Sequence, residues 1–452
     1  MTVRFDDSLP RFAALLGETV GENLLRDGVI LRDVYGRLAF FSSLPLEGAS
    51  VETLRQRAQV ELAPYARTDR IIAGPDEYGV AAVLTDPGIV AVAVGDGRVR
   101  LLDRRLVGTD WLRRPAGLAL PPPRFVFASV KGGVGRSTAL SVVAADLAAA
   151  GKRVLVVDLD MEAPGLGAIL LDEENQPEFG TVDALVECAF APLDPAFLAD
   201  LVSASPLAHQ KGRIDVVPAF GRRSLGHPGD VLAKIARAYA EGPGPEGQTL
   251  TILDRVRGMI EVLADPMRYD AVLIDARAGL HETAASAIQG LGAEVFLFGL
   301  DERQTFQGFS ALLAHLARFV DPGAAVPEWL ERLTLVQAKA PGDAEARAEF
   351  IQRCADLFVA TGLAPRPEPP QTVPLPAGSF SDVPWDDEER TDHEILSDDE
   401  ASARSVLAIL DDQRFQRFDP FRRRDLLSES LYRTTFGTLI DHVRAIVRVE
   451  ED

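Results

Sequence analysis

Short, continuous apolar runs separated by amphipathic stretches dominate the middle of the chain. Residues 125–129, 153–160, 269–275, 293–300 and 333–337 are rich in Val, Ile, Leu and Phe, as expected of strands buried on both faces of a parallel sheet. A helical stretch over 137–149 separates the first two. Strand and helix then alternate, which predicts an α/β unit: a doubly wound, mostly parallel sheet with helices on both faces. The first 118 residues follow another pattern and predict a small α+β domain. There, 28–42 reads as a hairpin turning at Tyr35-Gly36, 51–65 as an amphipathic helix, and 89–94 with 99–102 as a hairpin closed by Gly95-Asp96-Gly97. Residues 116–123, rich in Pro and small apolar residues, read as a linker. The expected divisions are therefore 1–118, 119–364, a proline-rich acidic loop segment over 365–425, and a C-terminal helix over 426–452. That helix carries a stripe of Leu431, Phe436, Leu439, Ile440, Val443, Ile446 and Val447, suited to packing on the fold.

Chemistry enters where the first apolar run meets the first helix. The string Val130-Lys131-Gly132-Gly133-Val134-Gly135-Arg136-Ser137-Thr138 joins a strand to a helix through three glycines, so backbone N–H groups and the helix N-terminus converge on one point. That is a cradle for polyphosphate. The strict pattern GxxxxGK[ST] is broken twice, by Val130 in place of the first glycine and by Arg136 in place of the lysine. Arginine keeps the charge and exchanges a compact ammonium for a longer planar fork. Phosphate binding is expected to survive this; hydrolysis is left open. Two further runs end in carboxylates: the second at Asp158 and Asp160, which strand alternation places on one face, and the third at Asp275, followed by Ala276-Arg277-Ala278-Gly279.

The string KGGVGRST resembles the deviant Walker A of the ParA/MinD family of P-loop ATPases. The resemblance covers roughly residues 122–340 and implies that Lys131 reaches across a nucleotide-sandwich homodimer to the partner's phosphates. It implies a cradle of Gly132, Gly133, Val134, Gly135, Arg136, Ser137 and Thr138 for ATP. Magnesium would be held by Ser137, Asp158 and Asp275, and Asp160 would orient the attacking water. By the same resemblance 269–280 looks like Walker B and switch II, with the Gly279 N–H sensing the γ-phosphate, and Gln337 or Lys339 stands where the family reads adenine. Lys131, Asp160 and Arg136 are the implied catalytic set. The reading is an ATP-dependent dimerisation switch that slowly hydrolyses Mg-ATP to control a partner protein through the N-terminal domain. Two alternatives stand beside it: a non-hydrolysing nucleotide-bound scaffold in a multi-protein system such as phage defence, and a DNA-partitioning ATPase.

Charge and composition narrow these choices. The net charge of −21 disfavours non-specific DNA binding, which draws on clustered Lys and Arg; only Arg222-Arg223 and 421–424 offer local basic runs. Two cysteines, Cys188 and Cys354, argue against a disulfide framework, and the expected location is cytoplasmic. A membrane anchor is disfavoured by the acidic ending Glu450-Glu451-Asp452. The six histidines show no metal-ligand spacing, and only His281 falls near the proposed chemistry. Bacterial tyrosine kinases resemble this core with a terminal tyrosine cluster, but here Tyr432 alone lies near the C-terminus.

Overall fold

The computed structural model describes residues 3–95, 97–208, 211–243, 249–320, 325–365 and 406–448. In the N-terminal unit five strands form one sheet: β1 (Val29–Arg32), β2 (Leu38–Phe41), β3 (Ile72–Ala73), β4 (Val90–Val94) and β5 (Gly97–Asp103), in the order β3-β2-β1-β5-β4. Both expected hairpins form, β1–β2 and β4–β5 each pairing antiparallel. Alternation divides the side chains. Ile30, Leu38, Phe40 and Leu101 join Leu9, Phe12 and Leu16 of the helix Phe5–Val20 and Leu54 and Ala58 of the helix Gly48–Glu61. Val29, Leu31, Ala39 and Phe41 face the other way, onto Val80.

The second unit is built on an eight-stranded sheet of β6 (Arg124–Ser129), β7 (Arg153–Asp158), β8 (Ser203–Ala204), β9 (Arg213–Val217), β12 (Ala271–Ala278), β13 (Glu294–Gly299), β14 (Leu333–Ala340) and β15 (Val406–Leu410), with a minor pair, β10 (Gly242–Pro243) and β11 (Thr249–Leu250), outside it. The order is β15-β14-β13-β6-β12-β7-β9-β8, and every pairing is parallel except β8 on β9. This is the doubly wound α/β sheet the pattern predicts. β6 sits centrally, with Phe125 and Phe127 in the core under one helical layer and Val126 and Ala128 in the core under the other.

One expectation is overturned. The segment 365–425 is not all loop, because Val406–Leu410 extends the sheet as β15, pairing Leu335 with Val406 and Gln337 with Ala408. Five apolar residues directly after an acidic, proline-rich run are easily read as part of that run, yet an edge strand needs no more. Residues 366–405, His209, His393 and the acidic ending 449–452 lie outside the described residues.

The helix Glu429–Val447 packs against the helix Arg136–Ala149, and the contact is polar at its centre. Asp146, 1% exposed, accepts from Tyr432 Oη at 2.9 Å and from Arg444 Nε and Nη2 at 2.8 and 2.7 Å. Tyr432, also 1% exposed, is thereby a core residue.

The expected linker 116–123 is docked on the second unit, with Ala116 and Ala119 N–H donating to the Gln289 and Gly292 carbonyls at 2.7 and 2.9 Å, and so is the stretch before it. Trp111 is buried in the core of the second unit, its ring edge-on to His315, and the His315 Nε2 lies 2.6 Å from the Trp111 carbonyl. Burial pulls the His315 imidazole from the ordinary 6.5 down to about 4. The unfolded chain then binds a proton below pH 6.5 that the folded chain refuses, so stability present above 6.5 is lost as pH falls towards 4. The slope should approach about 1.4 kcal/mol per pH unit. In His315→Phe, which keeps a ring between Trp111 and Phe319, this part of the acid sensitivity should vanish from urea melts recorded between pH 7 and 4.

Candidate nucleotide site

The site is assembled at the C-terminal ends of β6, β7 and β12, where open parallel sheets bind ligands. Between β6 and its helix, Gly133 and Gly135 take φ of +74° and +91°, a left-handed backbone that favours glycine. A Cβ at Gly132, Gly133 or Gly135 would meet nothing within 4 Å, so the space beside these glycines is open. Val130, which breaks the glycine pattern, is accommodated by Gly308 of the helix Arg303–Leu316. A Cβ on Gly308 would stand 2.8 Å from that of Val130.

Arg136, expected in the phosphate cradle, lies under the loop among carboxylates. Only 8% exposed, its guanidinium donates through Nη1 to Ser129 Oγ at 3.0 Å and through Nη2 to Asp160 Oδ2 at 3.2 Å, with Nε 3.3 Å from Asp275 Oδ1. The longer fork folds back into the carboxylates that the following strands supply. Ser137 Oγ donates to the other oxygen of Asp275, so the hydroxyl and carboxylate expected to share a magnesium ion are already in contact. Burial raises Asp275 and Asp160 above the usual carboxylate range, opposed in each by Arg136.

Asp158, expected near the metal shell, also organises the backbone that follows it. β7 ends at Asp158, and its fully buried carboxylate accepts the backbone N–H groups of Asp160, Gly165 and Leu166 at 3.0, 3.2 and 3.2 Å. It shapes the loop that positions Asp160. Burial, then the Asp275 carboxylate, push it upward.

Lys131 Nζ donates to Glu302 Oε2 of the same chain at 2.6 Å, and both residues are partly exposed. The Gly279 N–H is already committed, donating to the Ser129 carbonyl at 2.8 Å beyond a register shift in β12. Of the two residues expected near the base, Gln337 is buried in the sheet and Lys339 has φ of +50°. Lys339 lines a cavity of about 50 Å³ with Gly135, Thr138, Asp411 and Gln416. Arg277 pairs with Glu162 at 2.7 Å; the Tyr239 hydroxyl donates to the same Glu162 oxygen and its ring lies 5.0 Å from that of His281. Glu162, Glu302, Tyr239 and the 411–416 wall escaped the sequence reading, since no motif marks them and their partners are remote in sequence.

The donors present suit ATP with magnesium. Ser137 and Asp275 offer a hard oxygen pair, while no cluster of three or more His, Cys, Asp or Glu fit for a metal exists among the described residues. Phosphate oxygens would complete the shell, as is usual for magnesium. The description "CobQ/CobB/MinD/ParA nucleotide binding domain" matches residues 125–356, just over half of the chain. The chain belongs to this family. Solved structures similar to this CobQ/CobB/MinD/ParA domain include McdA of Cyanothece in an ATP complex, 13% identical with a TM-score of 0.41, covering 73% of this chain and 98% of that one. MinD of Aquifex aeolicus is 14% identical with a TM-score of 0.40, covering 73% and 99%. The cell division ATPase MinD of Pyrococcus furiosus is 21% identical with a TM-score of 0.33, covering 51% and 79%. No curated protein sequence matches. Among the described residues no helix is long and apolar enough to cross a membrane.

Proposed function

We propose that this protein is an ATP-dependent dimerisation switch whose N-terminal unit, residues 1–118, addresses a partner protein. The observation that carries the reading is the open glycine loop with Ser137, on the helix that follows it, in contact with Asp275 of the adjoining strand β12, which in this reading are a phosphate cradle and a magnesium ligand pair. In this reading the loop N–H groups and Thr138 hold phosphate, Ser137 and Asp275 hold magnesium, and Lys131 leaves Glu302 to complete the site of a second copy. Asp160 orients water. Magnesium supplies charge neutralisation for the phosphates.

Molar mass by light scattering tests this with no nucleotide, with ADP and with a slowly hydrolysed ATP analogue. A doubling with the analogue alone, with slow phosphate release from ATP, is expected. Lys131→Ala should remain monomeric with the analogue while each chain still binds nucleotide; a variant that dimerises like the parent would defeat the reading.

One observation favours the non-hydrolysing scaffold as a second reading. The buried pairing of Arg136 with Asp160 and Asp275 occupies the group assigned to water. Unchanged mass and no phosphate release would turn the conclusion to it. The basic runs lend little to DNA binding, because Arg223 pairs with Glu178 at 2.7 Å, Arg422 with Asp419 at 3.2 Å and Arg423 with Asp425 at 2.5 Å.

A further inference from the structure

The segment joining the two units does not hang free. It runs along one face of the helix Glu282–Gly290, which begins three residues after Gly279. Glu282 Oε1 accepts the N–H of Gly108 and, at 3.2 Å, that of Thr109. Ser286 Oγ donates to Asp110 Oδ2 at 3.4 Å. Gln289 Nε2 donates to the Arg113 carbonyl at 2.9 Å, and the Gln289 backbone carbonyl accepts from Ala116 N–H at 2.7 Å. The Gly292 carbonyl accepts from Ala119 N–H at 2.9 Å. Positions 282, 286 and 289 recur at helical spacing, so the attachment follows one stripe of the helix and continues past its end at Gly292.

A second route meets the first at Thr109, whose hydroxyl donates to Glu241 Oε1 at 2.6 Å. Two residues earlier, Tyr239 holds Glu162, which holds Arg277. Gly279, at the end of β12, thus leads into the helix that grips the segment 108–119, while the loop carrying Asp160 and Glu162 reaches Tyr239, two residues before the Glu241 that holds Thr109.

We infer that the nucleotide state of the site is transmitted to the N-terminal unit through the segment 108–119, with Glu282 as the coupling residue. The inference rests on the proposed nucleotide-switch reading. A shift of the helix Glu282–Gly290 cannot occur without moving or releasing the amides of Gly108 and Thr109, which lie at the base of the N-terminal unit. Coupling of this kind needs contiguous contacts with two arrangements, and these contacts are contiguous.

Hydrogen–deuterium exchange on the full chain, with and without a slowly hydrolysed magnesium–ATP analogue, tests it. In the parent, peptides spanning 131–140 should gain protection, and peptides spanning 106–116 should change their exchange rate at least tenfold. Glu282→Ala should exchange fast over 106–110 in both conditions while keeping the protection at 131–140. Glu282→Gln, which retains the carbonyl acceptor, should restore the parent's response, and Thr109→Val, should Glu282→Ala fail to fold, should weaken it. Protection at 131–140 with no change over 106–116, or a parent-like response in Glu282→Ala, would overturn the inference and leave the nucleotide reading intact. No protection at 131–140 would instead remove the nucleotide reading itself.

Discussion

Arg444→Ala should lower the stability of the folded chain by about 3–5 kcal/mol, the range for stripping the partner from a buried charge. Asp146 sits inside the contact between the helices Arg136–Ala149 and Glu429–Val447, and Arg444 supplies two of its three donors. Removing the guanidinium leaves a desolvated carboxylate with the Tyr432 hydroxyl alone. The companion Tyr432→Phe keeps the ring and the ion pair and should cost about 1 kcal/mol, the net worth of an ordinary hydrogen bond. Denaturant melts of the three chains at neutral pH provide the measurement. Because the contact backs the helix that presents Ser137 and Thr138, a drop in nucleotide affinity should accompany the loss in Arg444→Ala. Equal stability of the parent and Arg444→Ala would show that Asp146 finds water.

Arg136→Lys, which returns the loop to the family pattern, should bind nucleotide about three- to tenfold more tightly than the parent. The parent's guanidinium bonds Ser129 and Asp160 and pairs with Asp275, all inside the fold, and a cation moving to phosphate must give these up. A lysine ammonium is shorter and concentrates its charge at one point, so it spans fewer of these partners. The same change should destabilise the nucleotide-free protein by about 1–3 kcal/mol, since a buried charged hydrogen bond is lost. Both quantities come from one set of thermal melts with and without a magnesium–ATP analogue, combined with direct binding of a fluorescent nucleotide. Weaker binding by the lysine chain would mean that the arginine is itself the better phosphate ligand.

The core of the fold was legible because its strands are uninterrupted apolar runs and because glycine spacing fixes the loop after β6. The ends of those strands were less so. Asp158 and Asp160 follow strand alternation on paper, yet the chain leaves β7 at Asp158 and turns on three backbone amides bonded to that carboxylate. Which groups surround a strand-end carboxylate depends on the loop around it, which composition does not specify. Beyond Gln337, β14 shifts register between Gln337 and Ala340, and Lys339 lines the cavity beside Thr138, a shift that the sequence pattern does not announce. Glu282 is hidden for another reason: its partners are 173 and 174 residues away, and nothing local distinguishes it from a surface acid at a helix start.

β6 carries a consequence for how the chain comes to be folded. It stands between β13 and β12, neither of which exists until more than a hundred further residues have been made, and the helix after it is closed off by Tyr432 and Arg444, 286 and 298 residues beyond Asp146. Topologies dominated by such distant pairings fold slowly. While the ribosome is still adding the later strands, the phosphate loop and the apolar face of its helix stand bare. The nascent second unit thus depends on protection by other means, whereas the N-terminal sheet, whose pairings close within residues 29–103, can be complete before the first glycine of the loop appears.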